Sequence, residues 1–195
     1  PVFFFAGGPG QAASETWVII QSTLNKIRKT RDIVMIDQRG TGGSNKLTCE
    51  SELEEDLNQE IDLDLIRAET EKCLAALQSD PRLYTTSIAM GDYDQVRQVM
   101  GYEKINIMGV SYGTRAAQVY LRLFPETVRS VTLDSVVPMQ LALGQEHAPM
   151  LDLSVQTVFD DCAGDESCHA LFPNQAGDLA ALFAQLREDP RQITI

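Results

Sequence analysis

Histidine is scarce in this chain, with two in 195 residues, His147 and His169. Neither stands at zinc-ligand spacing from the four cysteines, and no C-x-x-C occurs, so a structural metal site is excluded. Positive charge is in deficit, with 16 Lys and Arg against 28 Asp and Glu and a net charge of −12. Such a balance excludes nucleic acid and anionic membrane as partners, because both repel an acidic surface. Long apolar runs are missing too. The opening strand-like stretch Val2–Ala6 is far too short to span a bilayer. Repeats, low-complexity tracts, an initiator methionine and a signal-like segment are also lacking. The chain starts directly on PVFFFAGGPG, which reads as a piece of a longer polypeptide.

What is present is an ordinary globular composition, 44% hydrophobic, enough for a real core. The length fits one domain or slightly more. Cys49–Cys73 and Cys162–Cys168 are the economical disulfide pairing, which would place the protein outside the cytoplasm. Four reduced buried thiols are the alternative.

Short apolar runs alternate with amphipathic segments. Val2–Phe5, Ile33–Ile36, Ile105–Met108 and Val128–Leu133 read as buried strands. Helical spacing runs through Trp17–Ile27, Glu52–Leu77, Asp92–Met100 and 112–124, and Pro81 and Pro125 act as breakers. In the second of these, Leu53, Leu57, Ile61, Ile66, Cys73, Leu74 and Leu77 are candidate inner-face residues. This alternation predicts βαβ units and a parallel sheet with helices on both faces. From about His147 the texture turns to helix with loops, which divides the chain at 145/146.

Lys104–Arg115, KINIMGVSYGTR, is the most informative stretch. It is G-x-S-x-G between an apolar strand and an apolar helix, the context in which that pattern forms a sharp nucleophile turn. Gly109 and Gly113 flank the turn because side chains there would clash. Ser111 is lifted above the sheet as a candidate nucleophile. The Tyr112 N–H and the helix N-terminus face any oxyanion formed beside it. Ligands of parallel sheets bind beyond the carboxyl ends of the strands. The loops 6–10, 37–44 and 109–113 all lie at such ends, so they are expected to meet in space.

AGGPG after one strand, DQRGTGGS after the next and GVSYGT at the turn together resemble the α/β-hydrolase family of proline iminopeptidases and tripeptidyl aminopeptidases. The likeness covers most of 1–140. It implies an incomplete, nucleophile-bearing α/β-hydrolase core over 1–145. Residues 146–195 resemble the start of the helical lid of the secreted tripeptidyl-aminopeptidase-like branch. The resemblance further implies that Ser111 is the nucleophile and that the backbone N–H groups of Tyr112 and Gly8 form the oxyanion hole. It implies a peptide substrate with a free N-terminus, cleaved through an acyl-enzyme with no metal or cofactor. Asp37 and Arg39 read as scaffold that ties loops together. Many iminopeptidases carry a histidine where this chain has Ala6, whereas the secreted branch often does not. In this fold the triad order is Ser, then Asp or Glu, then His. His169 sits beside Cys168, His147 opens the lid segment, and Asp134 reads as a loop cap, so the acid and base are expected beyond residue 195.

Other readings of the same residues are weaker. Gly8-Pro9-Gly10-Gln11-Ala12-Ala13 with Asp37 outlines a dinucleotide fingerprint. However, Pro9 removes an N–H where a pyrophosphate needs donors, and GVSYGT is left unexplained. The acidic run 50–64 fails as a calcium loop, since Asp56 at position one puts Ile61 where glycine is needed and Arg67 where the bidentate acid belongs. A carboxylesterase or lipase on the same fold stays open, because serine attacks esters and amides alike. So does an inactive fragment that lacks the acid and base.

Overall fold

The computed structural model describes residues 1–49, 62–142 and 144–191. Three consecutive phenylalanines explain where its core sits. Strand β1 (Val2–Phe5) is buried along its whole length, so it must be covered on both faces. It lies inside a four-stranded parallel sheet of order β2-β1-β3-β4, with β2 at Ile33–Met35, β3 at Ile105–Val110 and β4 at Val128–Asp134. Phe3 stands level with Val34 on one side and Ile107 on the other, and Ile107 stands level with Val131.

Strand alternation divides the sheet into two faces. Phe3, Phe5, Ile105 and Ile107 join the main core with Ala89, Met90 and Tyr93 of helix α3 (Thr86–Val99) and Ala116, Ala117 and Tyr120 of helix α4 (Tyr112–Leu123). Phe5 meets the edges of Tyr93 and Tyr120 at ring separations of 4.7 and 5.9 Å. The Tyr93 hydroxyl donates to the Ile36 carbonyl at 2.7 Å, and burial pushes its pKa upward. On the opposite face, helix α1 (Ala13–Ile20) lies over β2, where Trp17 lines a groove with Ile33 and Met35. The helices therefore cover both faces, as the alternation of apolar runs predicts.

A polar tie fastens α3 to α4 inside this core. Asp94, 5% exposed, accepts from the Tyr120 hydroxyl at 2.9 Å, from Arg97 at 2.7 Å and from Gln98 at 2.6 Å. Burial pulls the Asp94 pKa up, but these donors outweigh it and the carboxyl titrates below its ordinary value. Desolvation pushes the Tyr120 phenol up to about 12. Both oxygens of this buried carboxylate thus accept hydrogen bonds, one of them from a cation, the condition under which burying a charge is tolerated.

Several predicted elements shift. The first helix begins at Ala13 and ends at Ile20, not at Ile27, and Leu24 returns to the core from the turns that follow. Helix α3 begins at Thr86, well before Asp92, because the Thr85 hydroxyl caps it by accepting from the Ile88 N–H. Helix α2 (Leu63–Ala76) starts after Asp62, whose carboxylate accepts from the N–H groups of Asp64 and Leu65. Residues 52–61 of the predicted long helix, with Leu53, Leu57, Ile61 and the Asp56 position, lie outside the described residues. The inner-face expectation for α2 is corrected, because Ile66 and Leu74 are exposed and no α2 residue is buried. Cys73 on α2 is bonded to Cys49 and Cys162 to Cys168, with Cα separations of 5.4 and 5.2 Å.

The chain divides into two compact units, Pro1–Met139 and Gln140–Ile195. The second carries helices α5 (His147–Gly164), α6 (Glu166–Leu171) and α7 (Gln175–Glu188). Its Cys162–Cys168 bond joins α5 to α6, and Asp165 caps α6 by accepting from the Cys168 N–H at 2.8 Å. Among the described residues, no helix is long and apolar enough to cross a membrane.

Candidate active site

Ser111 is the single residue between β3 and α4. Its backbone has φ 53° and ψ −123°, a conformation that L-residues with a side chain seldom adopt. The turn is held from both sides. The Ser111 N–H donates to the Asp134 carbonyl at the end of β4 at 2.9 Å, and the Ser111 carbonyl accepts from the Thr114 N–H at 2.9 Å. Ser111 itself is half-buried.

The two flanking glycines are required by close backbone approach. A β-carbon at Gly109 would collide with the Gly113 carbonyl oxygen. One at Gly113 would collide with the Phe5 carbonyl oxygen and come within 2.8 Å of the Ala6 carbonyl oxygen. The first turn of α4 therefore rests directly on the backbone of β1, which brings the end of β1 beside the turn after β3. A β-carbon at Gly7 would lie 3.3 Å from the Ser111 Cβ. Gly8 follows at φ 102°, where a side chain would meet the Gly10 nitrogen at 2.7 Å. The loop carrying Gly7 and Gly8 thus adjoins Ser111, although it lies about a hundred residues earlier in the chain.

Tyr112 opens α4 with its ring buried, 7% exposed. Its hydroxyl shares a hydrogen bond with the Thr86 hydroxyl at the start of α3, at 2.7 Å. The N–H groups of Tyr112 and Gly113, the first two of α4, precede the helical bonding pattern, and the helix dipole adds partial positive charge there. This end of the helix can stabilise an anion formed beside Ser111.

The loop 37–44 is built around Asp37. Helix α1 begins after Ala12, which has no capping side chain. Asp37 supplies the cap from a distance, accepting from the Ser14 N–H and Ser14 hydroxyl at 2.8 Å each, while the Gly43 N–H donates to it at 2.9 Å. A β-carbon at Gly42 would strike the Asp37 carboxylate and approach the Ala12 Cβ to 2.7 Å. Arg39 grips Asp92 of α3 with two hydrogen bonds of 2.6 and 2.5 Å and donates to the Leu83 carbonyl at 2.9 Å. Both residues therefore tie loops together.

Desolvation pulls the Asp37 pKa up, but the donors from Ser14, Gly43 and Ala13 outweigh it and hold the carboxyl below its ordinary value. A folded pKa below the unfolded one gives stability that is full above about pH 4 and disappears as pH falls through the folded pKa. Asp37→Ala is expected to lower stability by about 1–2 kcal/mol at pH 7, the range of a lost helix cap. The gap between the two proteins in urea midpoint should close as pH drops below about 4. An unchanged gap at acid pH contradicts the role of the charged carboxylate.

Sequence reasoning missed Thr114, Thr86 and Gln118 around the turn. Thr114 was detectable, since a threonine three residues into a helix commonly bonds back to the preceding carbonyl. The partners of Thr86 and Gln118 are tertiary and leave no local signal. Asp134 lies exposed at the end of β4, accepting from Ser135 at 3.2 Å. Both histidines belong to the second unit. No group of three or more His, Cys, Asp or Glu among the described residues is arranged to hold a metal ion.

A profile described as the alpha/beta hydrolase fold matches residues 1–185. The chain belongs to that family. The α/β-hydrolase chain is 29% identical over 183 residues to the serine protease Hip1 of Mycobacterium tuberculosis, covering 83% of this chain and 35% of Hip1. It is 32% identical over 121 residues to the tripeptidyl aminopeptidase of Streptomyces lividans, covering 56% of this chain and 22% of that one. It therefore spans about a third or less of the length of these relatives. The epoxide hydrolase CorEH superposes with a TM-score of 0.50 at 14% identity, covering 88% of this chain and 47% of that structure. That likeness is one of fold.

Proposed function

We propose that the full-length protein is a serine exopeptidase that releases residues from peptide N-termini through an acyl-enzyme on Ser111. The observation that supports Ser111 as the nucleophile of this reading is the strained turn itself. Ser111 stands at φ 53° between strand and helix, with the Gly7–Gly8 loop packed against it. Nothing in an ordinary strand-to-helix connection calls for such a backbone, and strain of this kind persists where function uses it.

In the proposed reaction the Ser111 hydroxyl attacks the carbonyl carbon of the scissile amide and gives its proton to a histidine base. The tetrahedral oxyanion is held by the N–H groups of Tyr112 and Gly8. The base then protonates the leaving amine, the C–N bond breaks and the acyl group stays on Ser111. Water, deprotonated by the same base, attacks the ester and frees the peptide fragment and the serine. The histidine and its orienting acid are assigned to residues beyond 195, consistent with the triad order of the fold. Peptide substrates are favoured by the names of Hip1 and the Streptomyces aminopeptidase. The second unit is assigned as the beginning of a lid. An extracytoplasmic location is supported by the two disulfides.

The test compares three substrates on the full-length protein: a free-amine tripeptidyl chromogenic amide, a prolyl amide and a short-chain nitrophenyl ester. Cleavage of an amide that is lost when its amine is acetylated is the expected result, and the preferred amide shows the step length. Cleavage of the ester alone contradicts the exopeptidase assignment and favours an esterase on the same nucleophile.

A further inference from the structure

We propose that Thr114 is a positioning residue that aims the Tyr112 N–H at the oxyanion. This inference rests on the assignment of Ser111 as nucleophile and of the Tyr112 N–H as an oxyanion donor. Thr114 is fully buried, 0% exposed. Its hydroxyl donates to the Ser111 carbonyl oxygen at 2.7 Å and accepts from the Val137 N–H at 2.8 Å. The hydroxyl is therefore oriented, with its proton committed to Ser111 and a lone pair committed to Val137.

The Ser111 carbonyl and the Tyr112 N–H belong to one peptide unit. That unit is planar, and its C=O and N–H point in opposite directions. Whatever fixes the carbonyl fixes the direction of the N–H. The Thr114 N–H holds the same oxygen at 2.9 Å, but a helical N–H to a residue three positions back is a weak, bent constraint. The hydroxyl adds a second donor from a side chain whose own position is clamped by the loop after β4. Two donors on one carbonyl also polarise the amide and strengthen its N–H as a donor. This matters here because Ser111 has ψ −123°, outside the wells that would otherwise hold the peptide plane.

The 135–139 loop has other ties to α4. Gln118 Nε2 donates to the Val137 and Thr114 carbonyls at 3.1 Å each, and Arg115 donates to the Pro138 carbonyl at 2.8 Å. These hold the loop without touching the Ser111 carbonyl, which separates a loop-fastening role from an aiming role.

The experiment measures kcat, KM and Tm on the full-length protein, with the nitrophenyl ester and whichever amide it cleaves. Thr114→Val keeps the shape and removes the hydroxyl. It is expected to lower kcat about tenfold or more, below the 10²–10³ seen when an oxyanion donor is lost outright, with KM within about twofold. Thr114→Ser is expected to restore kcat, and Gln118→Ala to lower Tm with kcat unchanged. Should the valine protein not express, Thr114→Ala carries the same expectation. Wild-type kcat in the valine variant, an equal loss in the serine variant or an equal loss in Gln118→Ala would overturn the proposal. Ser111→Ala is run alongside. If it retains activity, the underlying nucleophile assignment has failed, whereas an inactive Ser111→Ala beside a fully active Thr114→Val sinks only the aiming role.

Discussion

Ser111→Ala in the full-length protein is expected to reduce kcat on both amides and esters by about 10⁴–10⁶-fold, with little change in substrate affinity or Tm. The size follows from the chemistry. Without the hydroxyl no acyl-enzyme forms, and the histidine and its partner lose their function together, because the members of a triad act as one unit. A residual rate above water is expected, since the N–H groups at the start of α4 and in the Gly7–Gly8 loop still stabilise an oxyanion formed by direct attack of water. Stability is expected to hold or rise. Ser111 has a positive φ, and alanine there carries the same β-carbon strain while losing only a half-exposed hydroxyl. A variant that keeps more than about a tenth of the wild-type kcat contradicts the role of Ser111 as nucleophile, because an acyl-enzyme cannot form without its hydroxyl.

Gly113→Ala is expected to be the most damaging single-methyl change in the first unit. Its β-carbon would fall inside contact distance of the Phe5 carbonyl oxygen and 2.8 Å from that of Ala6. The obstacle is main chain, and it belongs to the most deeply buried strand of the sheet, so no side-chain rotation relieves the clash. Either α4 lifts off β1 or β1 shifts. Lifting α4 draws Ala116, Ala117 and Tyr120 out of the core they share with Phe5 and Ile107, and parts the rings of Tyr120 and Phe5. Overpacking against a fixed backbone exceeds the usual cost of about 1–3 kcal/mol. A loss of more than about 3 kcal/mol is expected, with much of the protein insoluble on expression. Catalysis should fall in the folded fraction as well, because displacing Phe5 and Ala6 moves the Gly7–Gly8 loop away from Ser111. Urea denaturation and kcat per active site check both effects. An alanine variant with wild-type midpoint and kcat would contradict the contact between α4 and β1.

Local signals were enough for the centre of this molecule. Val2–Phe5 is apolar at every position, so it reads as a strand buried on both faces, and it lies inside the sheet. GVSYG between two apolar segments reads as a strand–turn–helix, and the backbone at Ser111 takes that form. Interactions between distant residues were another matter. Asp37 reads as a residue at a strand end, and nothing in DQRGTGGS reveals that it caps a helix 23 positions earlier. That helix itself looked displaced because its own capping position is Ala12. Helix α3 reads as starting at Asp92, because the apolar spacing becomes regular only there, yet its cap is Thr85. Helix α2 illustrates the opposite error. Its apolar spacing reads as an inner face, yet Ile66 and Leu74 are exposed. Periodicity identifies a helix and one of its sides, but not whether another element lies against that side.

The most direct test of Ser111 as the nucleophile is covalent. The full-length protein would be treated with a fluorophosphonate, digested and read by mass spectrometry, because this reagent forms a stable tetrahedral phosphonyl adduct on an activated serine and leaves ordinary serines unmodified. A single adduct is expected, on Ser111 in the peptide containing GVSYGTR, with activity lost in proportion to labelling. Full inactivation with the adduct on another residue, or no labelling of a protein that still cleaves its substrate, would contradict that role of Ser111.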